Sequence, residues 1–156
     1  MILFDLVGVA FIGLVSAVLM TLFEFPFWKK WGMEGTADWQ VNSVMVSKLL
    51  GRPKGPNQPR LSWTIASHLS HGVVAGIAFW LLFPVFFTLI PVANVLILFE
   101  TIVYGIVLWF LFLVLGRRTF ESLGGVRITR RGLWGSLLSL IVYGFFLGLL
   151  LLATFH

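Results

Sequence analysis

Cysteine is absent from this 156-residue chain, which removes disulfides, iron–sulfur clusters and thiolate metal sites from consideration. Charge is nearly as scarce. Only 11% of the residues are Asp, Glu, Lys or Arg, against about a quarter in an ordinary soluble domain. A soluble surface of this size cannot be covered by so few charges. Also missing are an Asp pair, a Gly-x-Ser-x-Gly turn, a phosphate-binding glycine loop and a His-Glu-x-x-His helix. Without them an enzyme is not expected.

Apolar residues take the place of the missing charge: they make up 59% of the chain, and its mean hydropathy is +1.00. Four apolar runs, at about 2–23, 62–83, 92–115 and 132–155, are each long enough to cross a bilayer as a helix. The first is broken by Asp5 alone and the third contains Glu100. Pro84, Thr88, Pro91 and Asn94 make a short turn between the second and third. The expected architecture is a single all-α, polytopic membrane domain over 1–156, with four transmembrane helices. The first run lacks a basic leader and a small-residue cleavage site before Phe25-Pro26-Phe27-Trp28, so it is expected to remain in the mature protein.

All eleven basic residues lie in two loops, at 24–61 and 116–131. Positive loops stay cytoplasmic, so both loops are expected inside and both termini outside, in a plasma membrane. The net charge of +5 then faces an anionic inner leaflet, and nucleic acid is not needed to account for it. Trp28, Trp31, Trp63 and Trp134 flank the loops as an interfacial belt. Within the first loop Thr36 can cap a helix, Asp38 suits its first turn, and Gly51 with Pro53 can end it. Ala37, Val41, Val44, Met45 and Leu49 recur there at helical spacing. This helix is read either as an amphipathic helix on the inner membrane surface or as a lid on the end of the bundle. Gly51–Arg60 is a basic Pro/Gly linker, and Gly124-Gly125 with five arginines forms the second loop.

Spans two and four align at a constant shift. Thr64, Ser67, His71, Gly72 and Gly76 fall on Ser136, Ser139, Tyr143, Gly144 and Gly148. This points to two helical hairpins in parallel orientation. Gly72 with Gly76, Gly144 with Gly148, and Gly13 with Ala17 are small-x-x-x-small pairs that let helices pack closely. The segments Gly13-Leu-Val-Ser-Ala-Val-Leu-Met-Thr21 and Ile141-Val-Tyr-Gly-Phe-Phe-Leu-Gly148 resemble a group of small four-helix bacterial and archaeal membrane proteins known only as domains of unknown function. The resemblance covers two spans and departs at the long first loop. It implies the fold and no activity.

Ionisable groups inside a bilayer are costly and functional by default. Glu24 ends the first span on the side where His68 and His71 begin the second, so a Glu24–His68–His71 cluster is geometrically possible. As metal ligands the two histidines lack a third donor, and no metal or other cofactor is expected. A proton relay with Glu24 and simple interhelical hydrogen bonding both suit them. Glu100, with Tyr104 one turn away, is read either as a carboxyl bonded to a neighbouring hydroxyl or carbonyl, or as a substrate- or cation-facing group. Tyr143 is the corresponding polar ring in span four. Two functions follow as expectations. One is an accessory subunit that packs with other membrane subunits or with itself. The other is a small oligomeric proton- or ion-coupled transporter working through Glu24, His68, His71 and Glu100.

Overall fold

The computed structural model describes residues 2–31, 36–49, 61–87, 94–124 and 127–155. Every regular element in them is helical: α1 (Ile2–Trp31), α2 (Ala37–Leu49), α3 (Leu61–Phe87), α4 (Asn94–Leu108), α5 (Arg117–Gly124) and α6 (Arg130–Phe155). Helix α4 runs on as a π-helical segment, Trp109–Leu115, whose last wide turn is closed by the Gly116 N–H donating to Leu111 O at 3.1 Å. The linker at 51–60, the turn around Thr88 and Pro91, and Gly125 lie outside the described residues.

Four stretches are long and apolar enough to cross a membrane: Leu6–Phe27, Ser62–Leu82, Leu96–Leu115 and Arg130–Thr154. They coincide with the four runs read from the sequence, with two differences. Pro84, expected in the turn after the second run, lies inside α3, which continues to Phe87. The first span is expected to stop at 23, but its helix continues through Pro26 to Trp31. Proline removes one main-chain donor and crowds the preceding turn, yet the chain stays helical past it. Glu24 therefore sits inside a helix, with about two turns beyond it, rather than at a helix end.

Helix α1 packs on α3, α4 on α6, and α1 on α6. Each hairpin closes on glycine. A Cβ on Gly13 would stand 2.6 Å from Gly72 O, and one on Gly76 would press on Val9 O and the Gly13 backbone. In the second pair a Cβ on Gly144 would collide with Thr101 O, and one on Gly105 with Leu140 O. Where helices are surrounded by lipid, hiding apolar surface gains nothing, and close van der Waals approach of this kind is what can hold them together. Two tyrosines then join the pairs across the bundle. Tyr143 OH donates to Gly72 O at 2.7 Å, and Tyr104 OH donates to Ala75 O at 2.9 Å. Val9, Ile12, Met20, Phe79, Ile97 and Leu147 fill the space between the helices. Outward faces are apolar as well: Phe11, Leu22, Val74, Phe99 and Leu149 are all exposed, the reverse of a water-facing surface.

The described residues of the second basic loop are tied to one another. The Arg117 guanidinium donates to Glu121 Oε1 at 2.9 Å and to Ile128 O at 2.8 Å, while Glu121 Oε1 accepts the Ile128 N–H at 2.8 Å. This closes the chain so that Ile128 is buried against Ala37, Val41 and Leu113. The Arg117 hydrogen bond, with help from the Ile128 amide, holds the Glu121 carboxyl below its usual value of 4.5.

Two outcomes follow. Gly144→Ala should destabilise the bundle by about 1–3 kcal/mol, the usual cost of overpacking, as measured by denaturant titration in micelles. Because the folded Glu121 value is depressed, its contribution is complete above the ordinary carboxylate value and is lost as pH falls through the lower, folded value. Hydrogen-exchange protection of the Ile128 amide should therefore hold to below pH 4.5 and then decline. In Glu121→Gln it should be weaker and should not change across that range.

Candidate functional site

Helix α2 carries three valines, Val41, Val44 and Val46, and all are buried together with Gln40, Asn42 and Ser47. It packs on α3, α5 and α6. Of the two arrangements the sequence allows for this helix, packing on the end of the bundle is the one observed. Its N-terminus is held in an unexpected way. Thr36 does not cap it: the Thr36 hydroxyl is buried without a hydrogen-bond partner. Ser136 of α6 takes that place, its Oγ accepting the N–H groups of Ala37 (2.7 Å) and Asp38 (3.1 Å) and donating to Asp38 Oδ1 at 2.7 Å. First-turn amides need an oxygen acceptor, and a hydroxyl from another helix serves as well as a local one. The same bonds tie α2 to the second hairpin. One turn further along α2, Ser67 of α3 donates to Asn42 Oδ1 at 2.9 Å, and the Asn42 amide donates to Asp38 O at 2.8 Å.

Docking α2 in this way closes it over Glu24. The glutamate is completely buried, and its Oε2 accepts the Trp39 indole N–H at 2.6 Å. Ser139 and Asp38 adjoin the same carboxyl. The Trp39 ring stacks on the His68 imidazole with centroids 4.5 Å apart and planes 23° from parallel. His68 is 4% exposed, and its Nδ1 lies 3.8 Å from Asp38 Oδ2 and 3.4 Å from the Asn42 amide nitrogen. Glu24, Asp38 and His68, from three different helices, thus bring one donor atom each to within 4.8 Å of one another. Glu24 Oε1, Asp38 Oδ2 and His68 Nε2 are buried without a hydrogen-bond partner. Such orphan polar atoms are rare in folded proteins and each needs an explanation.

The other polar residues singled out in the sequence lie elsewhere. His71 shares a helix face with His68, but its ring is exposed and its Nδ1–H donates to Ser67 O in its own helix at 2.7 Å. Tyr104 turns to α3, not to Glu100. Glu100 stands on α4, its Oε2 buried without a partner, so the expected bond to a neighbouring hydroxyl or carbonyl is not made by that oxygen. Tyr143 and the apolar cluster around it occupy the bundle interior beyond the centre. Gly13, Ala17, Gly72, Gly76, Gly144 and Gly148 all take part in the helix crossings.

Asp38, Trp39, Asn42 and Ser136 belong to the centre and were not legible as such. Asp38 reads as an ordinary first-turn acid. The available signal is the spacing of Asp38 and Asn42, one turn apart, in a helix that also carries a tryptophan. No protein family, curated protein or solved structure matches this chain, so the chemistry rests on the arrangement itself. Two carboxyl groups and an imidazole enclosed together can hold a proton or a cation between them.

Ser136→Ala removes the acceptor for two first-turn amides and should cost about 1 kcal/mol. Hydrogen exchange at Ala37 and Asp38 should quicken, while amides in the centre of α6 remain protected.

Proposed function

We propose that this protein is a small proton- or ion-coupled membrane protein whose working site is the Glu24–Asp38–His68 centre. The observation that carries this reading is the meeting of three ionisable side chains, with unpartnered atoms, under α2. Adjacent carboxylates withdrawn from water repel each other, and a proton or a cation between them relieves the repulsion. Retaining such a group where apolar packing would be more stable calls for a purpose beyond stability.

In this reading the four apolar helices cross a plasma membrane, with both basic loops in the cytoplasm and both termini outside. The centre then lies at the cytoplasmic face, and α2 is its lid. The two hairpins are parallel repeats, and each grips α2 through a hydroxyl, Ser67 in one and Ser136 in the other, at positions one turn apart in the alignment of the repeats. One observation favours a second reading, that of an accessory subunit. The interior of a single bundle is filled by apolar side chains, so a path across the membrane would have to run between copies or beside another chain.

Reconstituted into liposomes, the chain should pass protons or cations down an imposed gradient. Glu24→Gln should abolish that flux while helix content and elution in detergent stay unchanged. Flux that persists in a folded Glu24→Gln protein would remove the centre from the mechanism. If the wild-type chain passes no ions and is recovered from its native membrane with a fixed set of other subunits, the accessory reading replaces the first.

A further inference from the structure

We infer that the Glu24–Asp38–His68 centre is a binding site for a divalent first-row transition-metal ion. The inference rests on the reading that this centre handles a cation, and it names the cation.

The geometry of the donors carries it. Each carboxylate has one oxygen held by a neutral hydrogen-bond donor and the other left free. Trp39 holds Glu24 Oε2, leaving Oε1, and Ser136 holds Asp38 Oδ1, leaving Oδ2. Outer partners of this kind orient metal-binding carboxylates. Glu24 is fully buried and His68 nearly so, and both bring their donors into the same small space. The 3.8 Å between His68 Nδ1 and Asp38 Oδ2 is too long for a hydrogen bond. Two donors each about 2.0–2.1 Å from a shared tetrahedral ion stand roughly 3.4 Å apart, so a small closure of the site brings both onto one ion. His68 is held by the indole stacked on its face, and the Asn42 amide nitrogen, 3.4 Å from Nδ1, has to turn away from that nitrogen when an ion takes its lone pair.

The chemistry of the set narrows the ion. Two carboxylates and one imidazole, with no thiolate in the chain, suit Zn2+, Mn2+ or Fe2+ and do not suit Cu+. An imidazole ligand also disfavours Ca2+ and Mg2+, which take oxygen. Three protein ligands leave an open position, as in sites that exchange a ligand or react rather than serve only as structure. A charge of +2 balances the two carboxylates when both are ionised.

The test uses the full chain, purified in mild detergent without a histidine tag, stripped with chelator and equilibrated with Zn2+, Mn2+ or Mg2+. Bound metal is counted by elemental analysis, and Co2+ substitution is followed by its visible spectrum. We expect one Zn2+ or Mn2+ per chain and no retained Mg2+. Asp38→Asn and His68→Gln should each weaken binding by more than the about 10–100-fold that loss of an outer partner costs. His71→Gln and Glu100→Gln should bind as the wild type does. The Co2+ spectrum should show nitrogen and oxygen ligation in the wild-type protein, which requires no variant to fold. Absence of stoichiometric metal, or metal retained at full affinity by both Asp38→Asn and His68→Gln, overturns the inference. The two readings fail separately. No metal binding with flux that still depends on Glu24 would overturn the metal and leave proton handling in place. Stoichiometric metal with flux indifferent to Glu24→Gln would uphold the metal site and overturn the coupling.

Discussion

Glu24 lies within a helix that is otherwise built almost wholly of apolar residues, and none of its surface reaches solvent. A carboxyl group so placed must find donors in the protein, because the cost of leaving it bare exceeds what any single packing contact returns. Those donors come from the segment that follows. Trp39 reaches back fifteen residues to its carboxyl, and it can do so only if α2 lies across the end of the bundle. Ser136 of α6 and Ser67 of α3 hold α2 there, and Ile128, kept in place by the Arg117–Glu121 clasp, packs against it. The arrangement of the cytoplasmic segments in the proposed topology follows from the need to enclose that one group.

The bundle supplies the frame. Glycine at the α1–α3 and α4–α6 crossings brings each pair of helices to backbone contact. The two tyrosine hydroxyls then use carbonyl oxygens of α3 to join the pairs. With the helices this close, side chains at one end have few alternative positions. That rigidity holds Glu24, on α1, and His68, on α3, at a fixed separation for Asp38 of α2 to complete.

The four spans were legible because they depend only on length and hydropathy, and the glycine pairs because they recur at fixed spacing. The first run was ended at 23, where the apolar stretch meets Glu24, while the helix continues through Pro26 to Trp31. The centre was legible by half. Glu24 and His68 stand out as ionisable residues in apolar runs. Asp38 does not, because it sits in a polar loop where an acid is commonplace, and only tertiary docking buries it. The same docking explains Thr36. A threonine at the start of a helix reads as its cap, but a hydroxyl 100 residues later, on Ser136, occupies that place. His71 shows the opposite error: it has the right spacing on the helix, but its ring turns back to Ser67 O. Spacing along one helix places a residue on a face and says nothing of what a neighbouring helix brings to it.

The most direct measurement of this account is the hydrogen-exchange rate of the Trp39 indole N–H in micelles or nanodiscs, followed by NMR. If α2 is closed over Glu24, that proton is buried in a short hydrogen bond and should exchange orders of magnitude more slowly than the indole of exposed Trp63 or Trp134. Exchange as fast as at those two exposed residues would mean that α2 does not cover Glu24, and the centre described here would not exist.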